Sequence, residues 1–222
     1  MTDDKAVVAA APLSRADVAL PAEGFVFCCF NNSYRIRPQM FDVWMRLLRR
    51  VQGSVFFLTI APKPSTICAT RPASVAWPER LISAARVGSE EHLVRHRQAG
   101  LFLDTLPYNA HTTASDALRS GVPLVTSVGN NFASRVAASL LHAVGLSELV
   151  TQSLQDYEAL AIKLTEDPDH LRRVRATLAA NLATPALFDT DRFRCNIEAA
   201  YLEMHRRQQA GEPAEGFAVP LP

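Results

Sequence analysis

Short apolar runs alternate with helix-patterned stretches along the chain. The first run, at 25–30, reads FVFCCF, and the second, at 55–60, reads VFFLTI. Both are aromatic or β-branched and too short for a helix, so each predicts a buried strand. Between them, Pro38 begins a stretch with apolar residues at helical spacing, and Gly53 ends it. The order strand, helix, strand predicts a βαβ unit with parallel strands.

The same alternation continues to the end of the chain. The further predicted strands are 81–84, 101–103, 122–126 and 149–150. The further predicted helices are one that begins at Ser89 and those at about 111–119, 131–144, 153–165, 168–182 and 190–209. Four prolines interrupt 61–79, and no helix is predicted there. The pattern predicts an α/β fold with a doubly wound, Rossmann-like parallel sheet.

Length and composition favour a single domain between two weakly structured ends. The chain has 222 residues, and 48% of them are hydrophobic. That is enough for one large domain or two small ones, and we place one domain at 23–209. Residues 1–22 mix Ala, Pro and charge and are predicted to be a leader, and 210–222 are predicted to be a loose tail.

Charge and cysteine usage exclude several partner classes. The 23 Lys and Arg residues balance 22 Asp and Glu residues, so no bulk field favours nucleic acid or an anionic membrane. No apolar run approaches about 18 residues, and no signal-peptide pattern begins the chain. The 4 cysteines lack metal-ligand spacing. We therefore expect a cytoplasmic protein with reduced thiols and no membrane partner.

The stretch PYNAHTTASDAL contains the most unusual helix start in the chain. It enters a helix on His111, Thr112 and Thr113. The first N–H groups of a helix lack helical partners and attract anions. Asp116 lies one turn further on the same face, where a carboxylate could accept hydrogen bonds from ribose hydroxyls. Phosphate binding is one interpretation of this stretch, and plain capping by a Thr N-cap is the other.

Two further polar segments follow predicted strands. The first carries Asn32 and Arg35, and an arginine is suited to bidentate phosphate contact. The second carries His92 and Arg95 on one helix face, where both planar groups could contact a nucleobase. Taken alone, a solvated loop and a surface helix are the better interpretations of these segments.

The remaining histidines and the absence of known nucleotide-binding motifs reduce the number of possible functions. The histidines predicted at surface or satisfied helix positions are His96, His142, His170 and His205. No G-x-G-x-x-G follows the first strand and no P-loop is present, which argues against a dinucleotide oxidoreductase and a P-loop ATPase. No carboxylate cluster is suited to Mg²⁺. We therefore expect no metal site.

Four segments together resemble one known family. FVFCCFNNSYRIRP, EEHLVRHRQAGLFLDT, PYNAHTTASDALRSGVPLVT and ASRVAASLLHAVGL are similar to the C-terminal lobe of the O-linked N-acetylglucosaminyltransferases. That family includes the SPINDLY-like protein fucosyltransferases. The resemblance covers about residues 12–209. It implies the C-terminal lobe of a two-lobed GT-B glycosyltransferase, which holds the nucleotide of UDP-GlcNAc, or of GDP-fucose in the SPINDLY branch.

The resemblance also implies a role for each candidate residue. The implied nucleotide-sugar contacts are Asn32 and Arg35 at the diphosphate, His92 and Arg95 at the uracil, His111, Thr112 and Thr113 at the phosphates, and Asp116 at the ribose. Arg35, His111 and Thr112 would stabilise the leaving diphosphate, so neither a metal nor a cofactor is implied. No catalytic base is assigned. The implied reaction is transfer of the sugar to Ser or Thr of an acceptor protein.

The chain departs from the family in three segments and in extent. Ser89 stands where some relatives have Lys, Val128-Gly129-Asn130 where relatives have Pro-Gly-Glu, and the proline-broken segment 61–79 where relatives carry a helix. The family's N-terminal lobe and its TPR repeats, which carry the proposed base and recruit acceptor proteins, have no counterpart here. Residues 1–22 resemble the linker between the lobes. We expect the chain to be inactive alone, and a non-catalytic nucleotide-binding remnant is the alternative.

Overall fold

The computed structural model describes residues 13–59, 78–182 and 187–219 and has an all-parallel sheet at its centre. The strands are β1 Val26–Cys29, β2 Val55–Leu58, β3 Leu81–Ser83, β4 Leu101–Leu103, β5 Leu124–Ser127 and β6 Val150–Thr151. They form a 6-stranded sheet in the order β3-β2-β1-β4-β5-β6. The order reverses between β1 and β4, which makes that pair the switch point of a doubly wound sheet.

Helices connect most of the described strands, and most of them lie close to the predicted ranges. They are α1 Pro38–Arg50, α2 Ser89–His96, α3 Thr112–Arg119, α4 Val136–Ala143, α5 Leu154–Glu166, α6 Pro168–Leu182 and α7 Thr190–Gln209. α1 packs against α5, while α2 packs against α3 and α3 against α4. The predicted α/β fold class is confirmed. The proline-interrupted segment lies, up to residue 77, outside the described residues.

Aromatic side chains fill the space between β2, α1 and α5. The predicted apolar stripe of α1 is buried, and the Trp44 ring centroid lies 4.5 Å from that of Phe56 on β2. Trp44 Nε1 donates to the hydroxyl of Tyr157 at 3.4 Å. That hydroxyl donates in turn to the carbonyl oxygen of Asp104 at 3.0 Å. The helix layer is thereby tied to the end of β4, which borders the candidate site.

The helix predicted at 131–144 is broken in the structure. A 3₁₀ turn, Phe132–Ser134, precedes α4. Asn131 Oδ1 accepts from the Ser134 N–H at 3.0 Å, and Ser134 Oγ accepts from the Asn131 N–H at 3.2 Å. These reciprocal bonds hold the tight turn and compete with α-helical geometry. Phe132, which lies within the predicted helix, is 81% exposed.

His96 is not at a surface or fully satisfied position, which corrects the prediction for this residue. Its ring is 0% exposed, and its centroid lies 4.6 Å from that of Phe30. Nδ1 bonds to the carbonyl oxygen of His92 at 2.7 Å, so Nδ1 carries the proton. Nε2 is buried without a hydrogen-bond partner. The ring is buried because its face of α2 packs towards the end of β1.

The described residues fall into two compact units. One contains the sheet and α1 to α6, and the other contains α7 and the segment after it. α7 buries no residue, and Arg206 pairs with Glu203 and Glu212 at 2.8 Å and 3.0 Å. The Arg207 guanidinium lies 4.5 Å from the centre of the Phe217 ring. No helix in the described ranges is long and apolar enough to cross a membrane.

Candidate functional site

The candidate residues collect at the edge of the sheet where β1 and β4 end. Parallel strands place their carboxyl ends on one edge, and a crevice forms where the strand order reverses. The loop at 31–37 leaves β1 at this edge. The loop at 104–111 leaves β4 beside it and leads into α3. α2 packs against α3, so the side chains of α2 that face α3 also border the candidate site.

A buried carboxylate, Asp104, organises the loop after β4. Its Oδ1 accepts from the backbone N–H groups of Thr105 and Ala110 at 2.7 Å and 2.6 Å. Its Oδ2 accepts from Thr126 Oγ1 at 2.6 Å. Burial raises the pKa of Asp104 to about 7, although these hydrogen bonds lower it. Because one carboxylate binds both ends of the loop, it fixes the point at which the chain enters α3.

Asn31 connects the end of β1 to the same loop and to α3. Its Nδ2 donates to Thr105 Oγ1 at 2.7 Å, and its Oδ1 accepts from Thr113 Oγ1. The N-cap residue of α3 is His111, and its side chain makes no capping bond. The alternative interpretation, a Thr N-cap, is therefore wrong. The N-terminal N–H groups of α3 receive no side-chain cap from His111 and lie at the switch point.

His92 and Asp116 face each other across α2 and α3. His92 Nε2 lies 3.9 Å from Asp116 Oδ2. Burial, and secondly the charge of Arg95, lower the pKa of His92 to about 4. Burial raises the pKa of Asp116 to about 6. At neutral pH the pair is therefore a neutral imidazole beside a carboxylate, and it is not an ion pair.

Arg95 lies behind His92 and fixes its tautomer. Arg95 Nη2 is 2.6 Å from His92 Nδ1. A guanidinium only donates, so Nδ1 accepts and Nε2 carries the ring proton. Arg95 is 5% exposed, its Nη1 donates to the carbonyl oxygen of Ala85, and its guanidinium lies 4.7 Å from the centre of the Phe30 ring. In this position Arg95 orients His92, and His92 Nε2–H is directed towards Asp116.

Arg35 and His111 are brought together by Tyr108. The Arg35 guanidinium lies 3.9 Å from the centre of the Tyr108 ring, and its Nη1 donates to the carbonyl oxygen of Asn109 at 3.1 Å. The rings of Tyr108 and His111 stack with centroids 5.1 Å apart. A guanidinium and an imidazole therefore both contact one aromatic ring beside the start of α3.

The other predicted residues, Asn32 and Thr112, lie close in sequence to Arg35 and His111. Asn32 is exposed and precedes the 3₁₀ turn Ser33–Arg35, and Thr112 is the exposed first residue of α3. Sequence reasoning missed Asn31, Asp104 and Tyr108. The available signal for the first two was their position directly after a buried strand run. The stacking of Tyr108 left no pattern in the sequence.

Comparison with known proteins decides the family. The profile of glycosyl transferase family 41 matches residues 2–197. The chain belongs to this family. A UDP-N-acetylglucosamine–peptide N-acetylglucosaminyltransferase of Caenorhabditis elegans is 35% identical over 207 residues, which are 91% of this chain and 18% of that protein. A probable enzyme of the same name, SEC of Arabidopsis thaliana, is 33% identical and is covered to 21%.

Solved structures agree with the assignment to family 41. The K341M mutant of the Thermobaculum terrenum O-GlcNAc transferase matches with a TM-score of 0.78 and 31% identity, over 84% of this chain and 37% of that one. A sucrose-phosphate synthase of Thermosynechococcus elongatus matches with a TM-score of 0.64 and 16% identity, over 92% of this chain and 51% of that one, which shows a shared fold. The resemblance stated from the sequence is confirmed. This family 41 chain spans less than a quarter of the length of the two curated relatives named above.

The side chains at this site suit an anion and, beside it, a ligand with polar hydroxyl or amide groups. The start of α3 and the Arg35 guanidinium supply positive charge and N–H donors. His92 offers an N–H and Asp116 a carboxylate, which suits hydroxyl and amide groups. In the described parts of the chain, no group of three or more His, Cys, Asp or Glu side chains could hold a metal ion.

Proposed function

We propose that this chain is the sugar-donor lobe of a protein O-linked N-acetylglucosaminyltransferase. It would bind UDP-GlcNAc, from which the sugar passes to a Ser or Thr hydroxyl of an acceptor protein. The supporting observation is the meeting of Arg35, the α3 start and the His92–Asp116 pair at the switch point of a family 41 chain. The names of the relatives, which specify UDP-N-acetylglucosamine and a peptide, support this choice of sugar and acceptor.

The diphosphate of the sugar donor is assigned to the start of α3. The N–H groups there point out of the helix and favour an anion. Arg35 and His111 flank this position through their contacts with Tyr108. Thr112 adds an exposed hydroxyl, and Asn32 lies on the neighbouring loop. Thr113 contributes its N–H, because its hydroxyl already donates to Asn31.

The nucleoside is assigned to the surface between α2 and α3. Asp116 is ionised above a pKa of about 6, so it accepts hydrogen bonds from ribose hydroxyls at neutral pH. His92 is neutral there, and its Nε2–H, which is 3.9 Å from Asp116 Oδ2 and so not hydrogen-bonded to it, is available to the uracil. Arg95 acts on the uracil through His92, which it orients.

The chemical step needs stabilisation of the departing diphosphate. Arg35, His111 and the α3 N–H groups are directed at the position where that charge develops, so this transfer requires no metal ion. The catalytic base and the acceptor groove are assigned to an N-terminal lobe, and recruitment of acceptor proteins to TPR repeats. We place the reaction in the cytoplasm, with neither nucleic acid nor membrane as partner.

Calorimetric titration of the 222-residue chain with UDP, and with GDP as the competing nucleotide, tests the proposal. We expect saturable UDP binding that exceeds GDP binding and is weakened about tenfold or more by Arg35→Ala, since a charge-assisted phosphate contact is lost. Thr112→Ala should weaken it less. Arg37→Ala, an exposed arginine of the same loop, is the matched control and should leave UDP affinity unchanged.

Three outcomes would contradict parts of the proposal. A folded chain that binds neither nucleotide contradicts the donor-lobe assignment. Tighter binding of GDP than of UDP would point to GDP-fucose as the sugar donor. We expect UDP affinity to be unchanged by EDTA. Loss of UDP binding on addition of EDTA would contradict the proposal that binding needs no metal ion.

A further inference from the structure

The Tyr108 ring contacts two of the side chains that we assign to the diphosphate, Arg35 and His111. The Tyr108 ring centre lies 3.9 Å from the Arg35 guanidinium carbon. On the imidazole side, the Tyr108 and His111 ring centroids are 5.1 Å apart at an interplanar angle of 26°. Neither neighbour replaces this double contact: Tyr34 lies 5.8 Å from the Arg35 guanidinium, and Phe132 meets His111 edge-on at 6.1 Å.

Hydrogen bonds leave the two flanking side chains incompletely held. Arg35 Nη1 donates to the Asn109 carbonyl oxygen, but Arg35 Nε is buried and has no partner. His111 Nε2 is likewise buried without a partner, and the His111 side chain makes no capping bond. A long side chain that is not fully bonded samples other rotamers unless packing restricts it. The Tyr108 ring face supplies that packing for both groups.

Tyr108 itself is anchored to the sheet through its backbone. Its carbonyl oxygen accepts from Thr105 Oγ1 at 2.7 Å, and Thr105 Oγ1 in turn accepts from Asn31 Nδ2 at 2.7 Å. The next residue, Asn109, donates from its side chain to the Thr105 carbonyl oxygen at 3.0 Å. The ring therefore projects from a loop that is tied to the ends of β1 and β4. With 40% of its surface exposed, it is not a core side chain.

We propose that Tyr108 is a positioning residue for the diphosphate, which holds Arg35 and His111 at a fixed spacing so that both reach the same phosphate pair. The inference rests on the proposed function. It assigns the role to the face of the ring, since a guanidinium and an imidazole are both attracted to an aromatic face. The phenol hydroxyl is not required.

The test compares UDP with uridine, which lacks the phosphates, on variants of the full chain. UDP affinity is measured by calorimetry and uridine affinity by NMR titration. For Tyr108→Leu and Tyr108→Met we expect UDP binding to weaken about 3- to 30-fold, because a cation–π contact and a stack are lost. Uridine binding should stay within about twofold, and Tyr108→Phe should restore UDP binding, because the ring face remains. Tyr201→Leu, which removes an exposed tyrosine of α7, is the control.

The results separate this inference from the proposed function. If the wild-type chain binds no UDP, the proposed function fails first. If wild type binds UDP and both non-aromatic variants bind it equally well, only the role of Tyr108 is overturned. Equal weakening of UDP and uridine would also overturn it, since that indicates a general effect on the site. Failure of Tyr108→Phe to restore binding would show that the ring face does not carry the role.

Discussion

His92 Nε2 and Asp116 Oδ2 lie 3.9 Å apart, yet their pKa values prevent them from being charged together. Asp116 is ionised only above about 6, and His92 is protonated only below about 4. Between these values both groups are neutral. Burial of the two side chains is the main cause of both shifts. The contact therefore presents a hydrogen-bond donor and an acceptor to a ligand without locking them into a salt bridge.

The first prediction concerns the pH dependence of UDP binding. As pH falls through about 6, Asp116 gains a proton and ceases to accept from both ribose hydroxyls. We expect UDP affinity to fall about tenfold between about pH 7 and about pH 5, measured by calorimetry.

The control for that prediction must separate the titration of Asp116 from the titration of the ligand. The terminal phosphate of UDP gains a proton in a similar range, near about pH 6. Asp116→Asn keeps the ligand contribution and loses that of the carboxylate, so its affinity should change less with pH than that of wild type. Parallel pH profiles for the two proteins would show that Asp116 does not contact the ribose.

The second prediction concerns the buried Asp104. Its pKa is raised to about 7, so the folded state binds a proton more tightly than the unfolded state between about pH 4 and about pH 7. Stability from this group is complete below about pH 4 and is lost as pH rises towards about pH 7. Urea denaturation should show the stability of wild type relative to Asp104→Asn falling by roughly 2–4 kcal/mol over that range.

The same comparison cancels the contributions of the buried histidines. His92 and His96 have lowered pKa values and oppose Asp104, because burial disfavours their protonation. They are present in both proteins, so the difference isolates Asp104. A stability difference that rises with pH would mean that the hydrogen bonds to the carboxylate outweigh its burial.

The third prediction concerns the hydroxyl of Tyr157. It accepts from Trp44 and donates to the carbonyl oxygen of Asp104. Tyr157→Phe leaves a buried donor and a buried acceptor without these bonds, which should lower the free energy of unfolding by about 1–3 kcal/mol. Tyr201→Phe, at an exposed tyrosine, is the matched control. Equal urea midpoints for the two variants would contradict the bridging role.

The fourth prediction concerns Arg95 as the partner of His92. Its charge is the second cause, after burial, of the lowered pKa of His92. Arg95→Met should therefore raise the pKa of His92 from about 4 without restoring the ordinary histidine value of 6.5, because burial remains. NMR titration of the His92 ring protons measures the change. Arg97→Met changes an exposed arginine two residues further along the chain, and it should leave the His92 titration unchanged.

Loss of Arg95 should also weaken UDP binding through the orientation of His92. The neutral tautomer with the proton on Nε2 is fixed by the Arg95 donor at Nδ1. If Arg95→Met shifts the His92 pKa but leaves UDP affinity unchanged, the His92 ring does not contact the nucleoside.

The sequence by itself determined the strands, most helices and the parallel connectivity. Runs such as 25–30 and 55–60 predict buried strands because a parallel sheet covered on both faces needs continuous apolar segments. The structure has these strands at Val26–Cys29 and Val55–Leu58. The candidate residues could also be predicted from the sequence, because polar side chains directly after such strands must lie at one edge of the sheet. The local sequence pattern is enough to predict an element whose structure depends mainly on residues near it in the chain.

Only the tertiary structure decided which side chains meet at that edge. Asn31 and Thr105 are bonded across 74 positions of sequence, and Tyr157 and Asp104 across 53. Such contacts leave no periodic trace, because they depend on strand order and on the course of loops. The burial of His96 has the same origin. The assembly of Asp104, Asn31 and Tyr108 into a support for Arg35 and His111 is therefore a property of the fold.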